Sequence, residues 1–245
     1  MRRDRTKWWL VVAYGVTLSA AGMVFKLADA VHESDAVVRS DTRIMRYVID
    51  HRSSQLSSVA RVITQLGSGW IVAPIVVIGV AALLVKRQPR GALVLALSSI
   101  GCALLVEAAK QLVGRPRPPA ATRLVTAHGL AFPSGHAAQS VACYGALAWL
   151  AWELGGSRRI RVIASVSAAL IAIAVGSSRV YLGVHWPSDV LSGWLLAGGW
   201  LAALIGWSSY RTHAQGSRSG RRVIPRTRPQ PRSVPSGTEV EFVAG

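Results

Sequence analysis

Residues 92–109 read ALVLALSSIGCALLVEAA, and Glu107 is the sole charged side chain in the run. A helix needs roughly 20 apolar residues, with a range of about 17–25, to cross the hydrocarbon core of a bilayer. Working outward in both directions, five more segments match or approach that length: 8–25, 70–85, 135–154, 162–177 and 190–207. None has the alternating polarity of a barrel strand. Inside lipid the backbone must satisfy its own hydrogen bonds, so each segment reads as a helix. The expected fold class is therefore all-α, a polytopic membrane bundle of six transmembrane helices over residues 1–207. A basic tail, 208–245, follows it.

Composition agrees with the segment reading. Charged residues make up 16% of the chain and hydrophobic ones 51%, against about 25% charged in an ordinary soluble protein. The formal net charge is +17, from 28 Lys and Arg against 11 Asp and Glu. The basic residues do not line one soluble helix or sheet, as nucleic-acid binding would need. They cluster at the ends of apolar segments and in the tail, which is the pattern of positive-inside topology and of contact with anionic lipid. Cys102 and Cys143 both lie inside apolar stretches and have no metal-ligand spacing, so they read as inert buried thiols.

Loop charge sets the expected orientation. Lys86, Arg87 and Arg90 fall between the second and third segments, and Arg158, Arg159 and Arg161 between the fourth and fifth. With six helices these two loops share a side with both basic termini, and the positive-inside rule makes that side cytoplasmic. Loops 26–69, 110–134 and 178–189 then face outward. The expected location is the cell membrane, multi-pass. Trp8, Trp9, Trp70, Trp152, Trp186 and Trp207 sit near predicted ends and read as interfacial anchors. Arg2, Arg3, Arg5 and Lys7 precede the first apolar run, and Ala28-Asp29-Ala30 resembles a cleavage site, but the run is long for a signal peptide and reads as a retained helix. In the outer loop, Ile44, Val48, Leu56, Val59, Ile63 and Leu66 recur at helical spacing, which predicts one or two amphipathic helices over the bundle. The tail is rich in Arg, Pro, Ser and Gly, and reads as disordered, either plainly solvated or held on anionic headgroups.

Three polar clusters interrupt this apolar pattern, all in the loops assigned to the outer side. They are Lys110-Gln-Leu-Val-Gly-Arg-Pro-Arg117-Pro118, then Pro133-Ser134-Gly135-His136, then Ser178-Arg179 with His185 and Asp189. Lys110, Arg117 and Arg179 provide three cations suited to phosphate oxygens: guanidinium forks bind them in two-pronged geometry and an ammonium as a point charge. Gly114 and the prolines after it end the third helix and turn Arg117 back toward Lys110. Ser134-Gly135-His136 opens the fourth segment, and a helix N-terminus offers free N–H groups to an anion. Gly135 removes a side chain from that approach, Ser134 adds a hydroxyl donor or a cap, and His136 stands within reach of a leaving oxygen. His185 and Asp189 are four apart, with Pro187 suited to a first helical turn. On one side of that turn the carboxylate fixes the imidazole tautomer and leaves the other nitrogen free to attack phosphorus. Two histidines in separate clusters permit one nucleophile and one general acid. Singly, each of these residues reads as an ordinary helix-end cation, cap or surface pair; their gathering on one face points to a site. Glu107, Arg115, Arg123 and His128 read first as structural, with Glu107 an ion-pair partner for Lys110 and contact with lipid headgroups or substrate the alternative for Arg115 or Arg123.

The ordered set Lys-x6-Arg-Pro, Pro-Ser-Gly-His and Ser-Arg-x5-His-x3-Asp resembles the signature of the phosphatidic acid phosphatase type 2 superfamily, matched at every part between 110 and 189. The resemblance implies a membrane lipid phosphatase that removes a terminal phosphate from a lipid phosphate or pyrophosphate. It implies a phosphohistidine on His185, orientation by Asp189, and proton transfer by His136. Lys110, Arg117, Ser134, Gly135 and Arg179 would bind the phosphate, with no metal and no cofactor. Undecaprenyl pyrophosphate ranks slightly ahead of phosphatidate-type lipids on the outward site. Vanadate mimics the phosphoryl transition state, so a vanadate-dependent haloperoxidase is one alternative, against which the membrane spans argue. A non-catalytic lipid-phosphate binder or transporter is the other. A metal-free mechanism predicts that EDTA leaves phosphate release largely intact; complete loss, restored by a divalent ion, would contradict it.

Overall fold

The computed structural model describes residues 2–33 and 35–219, with side chains described for 10–32 and 36–210. Among these residues the structure is helical, with α1 Arg2–Glu33, α2 Asp35–Asp50, α3 Ser54–Gln65, α4 Gly69–Val85, α5 Pro89–Val113, α6 Gly135–Glu153, α7 Arg158–Tyr181 and α8 Pro187–Ser219. A short 3-10 turn, Ala120–Thr122, lies in the α5–α6 connection.

Five stretches are long and apolar enough to cross a membrane: Leu10–His32, Ser54–Val85, Pro89–Val113, Arg158–Tyr181 and Pro187–Tyr210. The expected segment 135–154 forms α6 but falls outside that set. The reason is its position. Ala137, Ala138, Ser140, Ala142, Cys143 and Ala146 are buried, and α6 packs against α5, α7 and α8. A helix surrounded by protein need not be apolar on every side, so small and weakly polar residues replace the leucines that face lipid elsewhere.

Helices overrun the apolar segments by a turn or so at α5 and α7, and by most at α1 and α8. α1 runs on through Ala28-Asp29-Ala30 and packs along α8, with Thr17 Oγ1 donating to Gly199 O at 3.0 Å. α8 continues past 207 to Ser219, and the rest of the tail, 220–245, lies outside the described residues. The connection 26–69, expected to face outward, contains two amphipathic helices, α2 and α3. Ser53 caps α3, its Oγ accepting from Leu56 N–H at 3.2 Å. Ile44, Val48, Leu56, Val59 and Ile63 face α7 across an apolar cleft of about 530 Å³.

Close helix approach depends on glycine set against tryptophan. Gly101 of α5 and Gly176 of α7 each receive the indole of an α8 residue, Trp200 and Trp194. Both rings are pinned: Trp200 Nε1 donates to Leu97 O at 2.9 Å and Trp194 Nε1 to Ala172 O at 3.2 Å. A Cβ on Gly101 would stand 2.6 Å from Trp200 Cζ2, and the ring cannot move without losing its hydrogen bond. Gly101→Val should therefore destabilise the bundle by about 1–3 kcal/mol, the usual cost of overpacking. Thermal unfolding in detergent checks this; an unchanged midpoint would show that the α5–α8 contact is slack.

Candidate active site

The α5 C-terminus, the α6 N-terminus, the α7 C-terminus and the α8 N-terminus meet at one end of the bundle. Each presents one part of the three clusters. α5 ends at Gly114, whose φ of 66° is left-handed and whose N–H closes on Lys110 O at 2.8 Å. That reversal sends 115–118 back across the bundle end. Ser134 N–H donates to Asp189 O at 2.9 Å, joining the second cluster to the third. Arg117 Nη1 donates to Val184 O at 2.8 Å and to His185 Nε2 at 3.0 Å, joining the first to the third.

The second of these bonds identifies the tautomer. A guanidinium has no acceptor. His185 Nε2 must therefore carry the lone pair, and the ring proton sits on Nδ1. Nδ1 faces Asp189 Oδ2 at 3.4 Å, longer than a formed hydrogen bond, and the nitrogen has no other partner among the described residues. His185 and Asp189 are almost entirely buried. Burial, the largest influence, pulls the His185 pKa down to about 4; Asp189 opposes that, while Arg117 and Arg179 add to it. At neutral pH the ring is uncharged, with its free lone pair on the nitrogen that Arg117 touches.

Around this imidazole are the other sequence-predicted residues. Arg179 is buried, donates from Nη1 to Thr64 Oγ1 at 2.8 Å, and keeps an Nε N–H without a partner among the described residues. Ser134 is the N-cap residue of α6, but its buried Oγ makes no capping bond and has no partner among those residues either. Buried polar atoms are normally paired, so two unpaired groups beside a neutral histidine mark a place for a ligand rich in oxygen. A Cβ on Gly135 would meet only Val106, at 3.6 Å, so packing does not demand glycine there. His136 is within electrostatic reach of Arg179, His185, Arg117 and Lys110. Lys110 also pairs with Glu107 at 3.8 Å. All eight residues singled out in the sequence therefore gather at one end of the bundle.

Sequence reasoning passed over several neighbours. Arg115, read as structural or headgroup-facing, is buried and donates to Asp189 Oδ1 at 2.6 Å, Ser188 Oγ at 2.8 Å and Asp41 Oδ2 at 2.7 Å. Trp186, read as an anchor, lies under that guanidinium with 5.5 Å from ring centroid to Cζ, and its backbone N–H donates to Asp189 Oδ2 at 2.8 Å. Asp41 had a legible signal. It shares the apolar stripe of α2 with Ile44, Met45 and Val48, and a carboxylate on such a stripe needs a buried partner.

A multi-helix membrane bundle that gathers a neutral histidine, a carboxylate and three cations is the frame of a phosphoryl-transfer enzyme. Residues 91–213 match the model of the PAP2 superfamily. The chain is 34% identical to phosphatidylglycerophosphatase B of Bacillus subtilis (strain 168) over 171 residues, which is 69% of this chain and 83% of that one. It is 32% identical to an undecaprenyl-diphosphatase of Sulfolobus acidocaldarius over 127 residues, 50% of this chain and 57% of the other. The crystal structure of a transmembrane PAP2-type phosphatidylglycerolphosphate phosphatase from Bacillus subtilis superposes with a TM-score of 0.70 and 30% identity, over 86% of this chain and 98% of that one. The chain belongs to the PAP2 superfamily. It is a membrane-embedded phosphatase acting on lipid phosphates.

A depressed pKa predicts which form of His185 is present. The ring should remain neutral, with Nδ1 protonated, from neutral pH down to about pH 5. Protonation on Nε2, which removes the lone pair, should come only as pH falls toward about 4. Nitrogen-15 histidine spectra of the detergent-solubilised protein, assigned with His185→Gln, check this. A His185 ring titrating near its ordinary value would refute it.

Proposed function

We propose that this phosphatase forms a phosphohistidine on His185 Nε2 and hydrolyses it with water. Lys110, Arg117, Arg179, Ser134 Oγ and the N–H groups at Gly135 bind the phosphate oxygens and stabilise the charge that spreads over them in the transition state. Arg117 gives its Nη1 hydrogen to a phosphate oxygen and so uncovers the Nε2 lone pair. Nε2 then bonds to phosphorus while the bond from phosphorus to the leaving oxygen breaks, and His136, entering as the imidazolium once the negative charge of the bound phosphate offsets the neighbouring cations, protonates that oxygen. Asp189 holds Nδ1–H and stabilises the charged ring. In the second half, His136 takes a proton from water, the resulting hydroxide displaces phosphate from Nε2, and the imidazole returns to its neutral form. The observation that carries this reading is the Arg117–His185 hydrogen bond, which leaves a nucleophilic lone pair under a phosphate-binding cation.

The substrate we propose is a glycerophospholipid with a terminal phosphate monoester, ahead of a prenyl diphosphate. Two names support the two chemistries: phosphatidylglycerophosphatase B, of which the chain covers 83%, and an undecaprenyl-diphosphatase, of which it covers 57%. That order reverses the one suggested by an outward site alone. Residues 1–207 form the catalytic unit in this reading, and the Arg-rich 208–245 meets anionic headgroups. Both termini are cytoplasmic, on the strength of the basic loops at the end of the bundle away from the site, and the site faces outward.

Phosphate release from phosphatidylglycerol phosphate, phosphatidate, undecaprenyl pyrophosphate and a soluble phosphate ester tests both substrate and mechanism. The first should turn over fastest, and a preference for the soluble ester would overturn a lipid-specific site. His185→Ala should lower kcat by about 1,000-fold or more. Asp189→Asn should cost about 100-fold or more by misorienting the ring. Wild-type-like turnover in purified His185→Ala protein would remove the nucleophile from the mechanism.

A further inference from the structure

We infer that Asp41 and Arg115 are positioning residues for the phosphatase reaction, acting through Asp189 on His185. This rests on the proposed role of His185. Asp41 lies on α2, far along the chain from the α8 N-terminus, yet it performs there the task of a capping residue. Its Oδ1 accepts the backbone N–H of Ser188 at 3.0 Å and its Oδ2 the Ser188 hydroxyl at 2.5 Å. Ser188 is the second residue of α8, where backbone N–H groups have no partner within the helix. Asp189, the next residue, closes back on Trp186 N–H at 2.8 Å, as the acidic member of a capping box does. The first turn of α8 is therefore held from two directions.

Arg115 links the two carboxylates. Nη2 donates to Asp41 Oδ2 at 2.7 Å and Nη1 to Asp189 Oδ1 at 2.6 Å. With Oδ1 held by the guanidinium and Oδ2 by Trp186 N–H, the Asp189 carboxylate cannot rotate, and Oδ2 is the oxygen that faces His185 Nδ1. The chain of contacts thus runs Asp41, Arg115, Asp189, His185 Nδ1. Neither Asp41 nor Arg115 has a contact with His185 itself. Their effect is on the direction of one oxygen and on how much negative charge it offers the ring as Nε2 attacks. A lysine in place of Arg115 could not reproduce this, because a point charge does not bridge two carboxylates in a fixed plane.

Asp41→Asn keeps an acceptor for Ser188 N–H and removes the charge opposite Arg115, so it is the variant of choice. In folded protein it should lower kcat about 10-fold or more with KM within about two-fold, since Asp41 lies behind Asp189 and its loss is felt in the support given to the ring as Nε2 attacks. In the double variant with Asp189→Asn the added loss should largely vanish, because both act through one carboxylate. Arg115→Lys should behave like Asp41→Asn. Wild-type-like kcat in folded Asp41→Asn, or losses that multiply in the double variant, would reduce Asp41 to a structural tether and overturn the inference. His185→Ala, measured alongside, separates the two levels. If it retains turnover, the reading of the site has failed; if it is inactive while Asp41→Asn is unimpaired, only the positioning role has failed.

Discussion

One buried guanidinium, Arg115, stands between two buried carboxylates that come from distant parts of the chain, Asp41 and Asp189. Either carboxylate left alone at that depth would be an uncompensated charge, and breaking such a pair typically costs about 3–5 kcal/mol. The contact brings α2 against the first turn of α8 and the chain after α5 beneath both. Asp189 is thereby held where it meets His185, and Ser134 N–H is held by Asp189 O. The amphipathic helix α2, which could have been a mere cover, is here tied into the support of the site.

The site concentrates positive charge without charging its histidine. Arg117 and Arg179 flank His185, and burial together with these two cations keeps the ring neutral, while Lys110 acts on His136 nearby. A dianionic phosphate reverses that balance. In the proposed mechanism it supplies the negative charge that the cations lack and takes hydrogen bonds from groups unpaired among the described residues, Ser134 Oγ and Arg179 Nε. In the same proposed mechanism, binding a phosphate and releasing the nucleophile are linked through Arg117, which occupies the His185 Nε2 lone pair. A dry pocket strengthens each of these interactions.

Around the site the bundle uses two kinds of helix surface. Lipid-facing helices carry large exposed apolar residues, such as Leu104, Leu112 and Ile173. The central helices carry Ala, Gly and Ser, so that α6 and α8 approach closely. Gly193 of α8 brings the backbone near Ser134 O, and Gly67 in the α3–α4 turn lies against His136 O, each leaving no room for a Cβ. These close contacts set the distance between clusters that are far apart in sequence.

Periodicity and hydrophobic length determined the spans, because lipid offers a backbone no alternative to the helix. The local clusters were legible for a similar reason: a cation, a proline or a histidine in an apolar chain is costly, and its spacing reports its use. The eight candidate residues and the Glu107–Lys110 pair could be named from sequence. What sequence could not decide were the contacts between clusters. Arg115 looked like one more basic residue at a helix end until Asp41 and Asp189 were brought to its two sides. Trp186 looked like an interfacial anchor until the turn before α8 laid it under Arg115. The membership of α6 in the bundle was visible, but not its central position, since hydropathy measures transfer to lipid and α6 is solvated mostly by protein. Such pairings arise between residues with no fixed spacing along the chain, so only the packed bundle decides them.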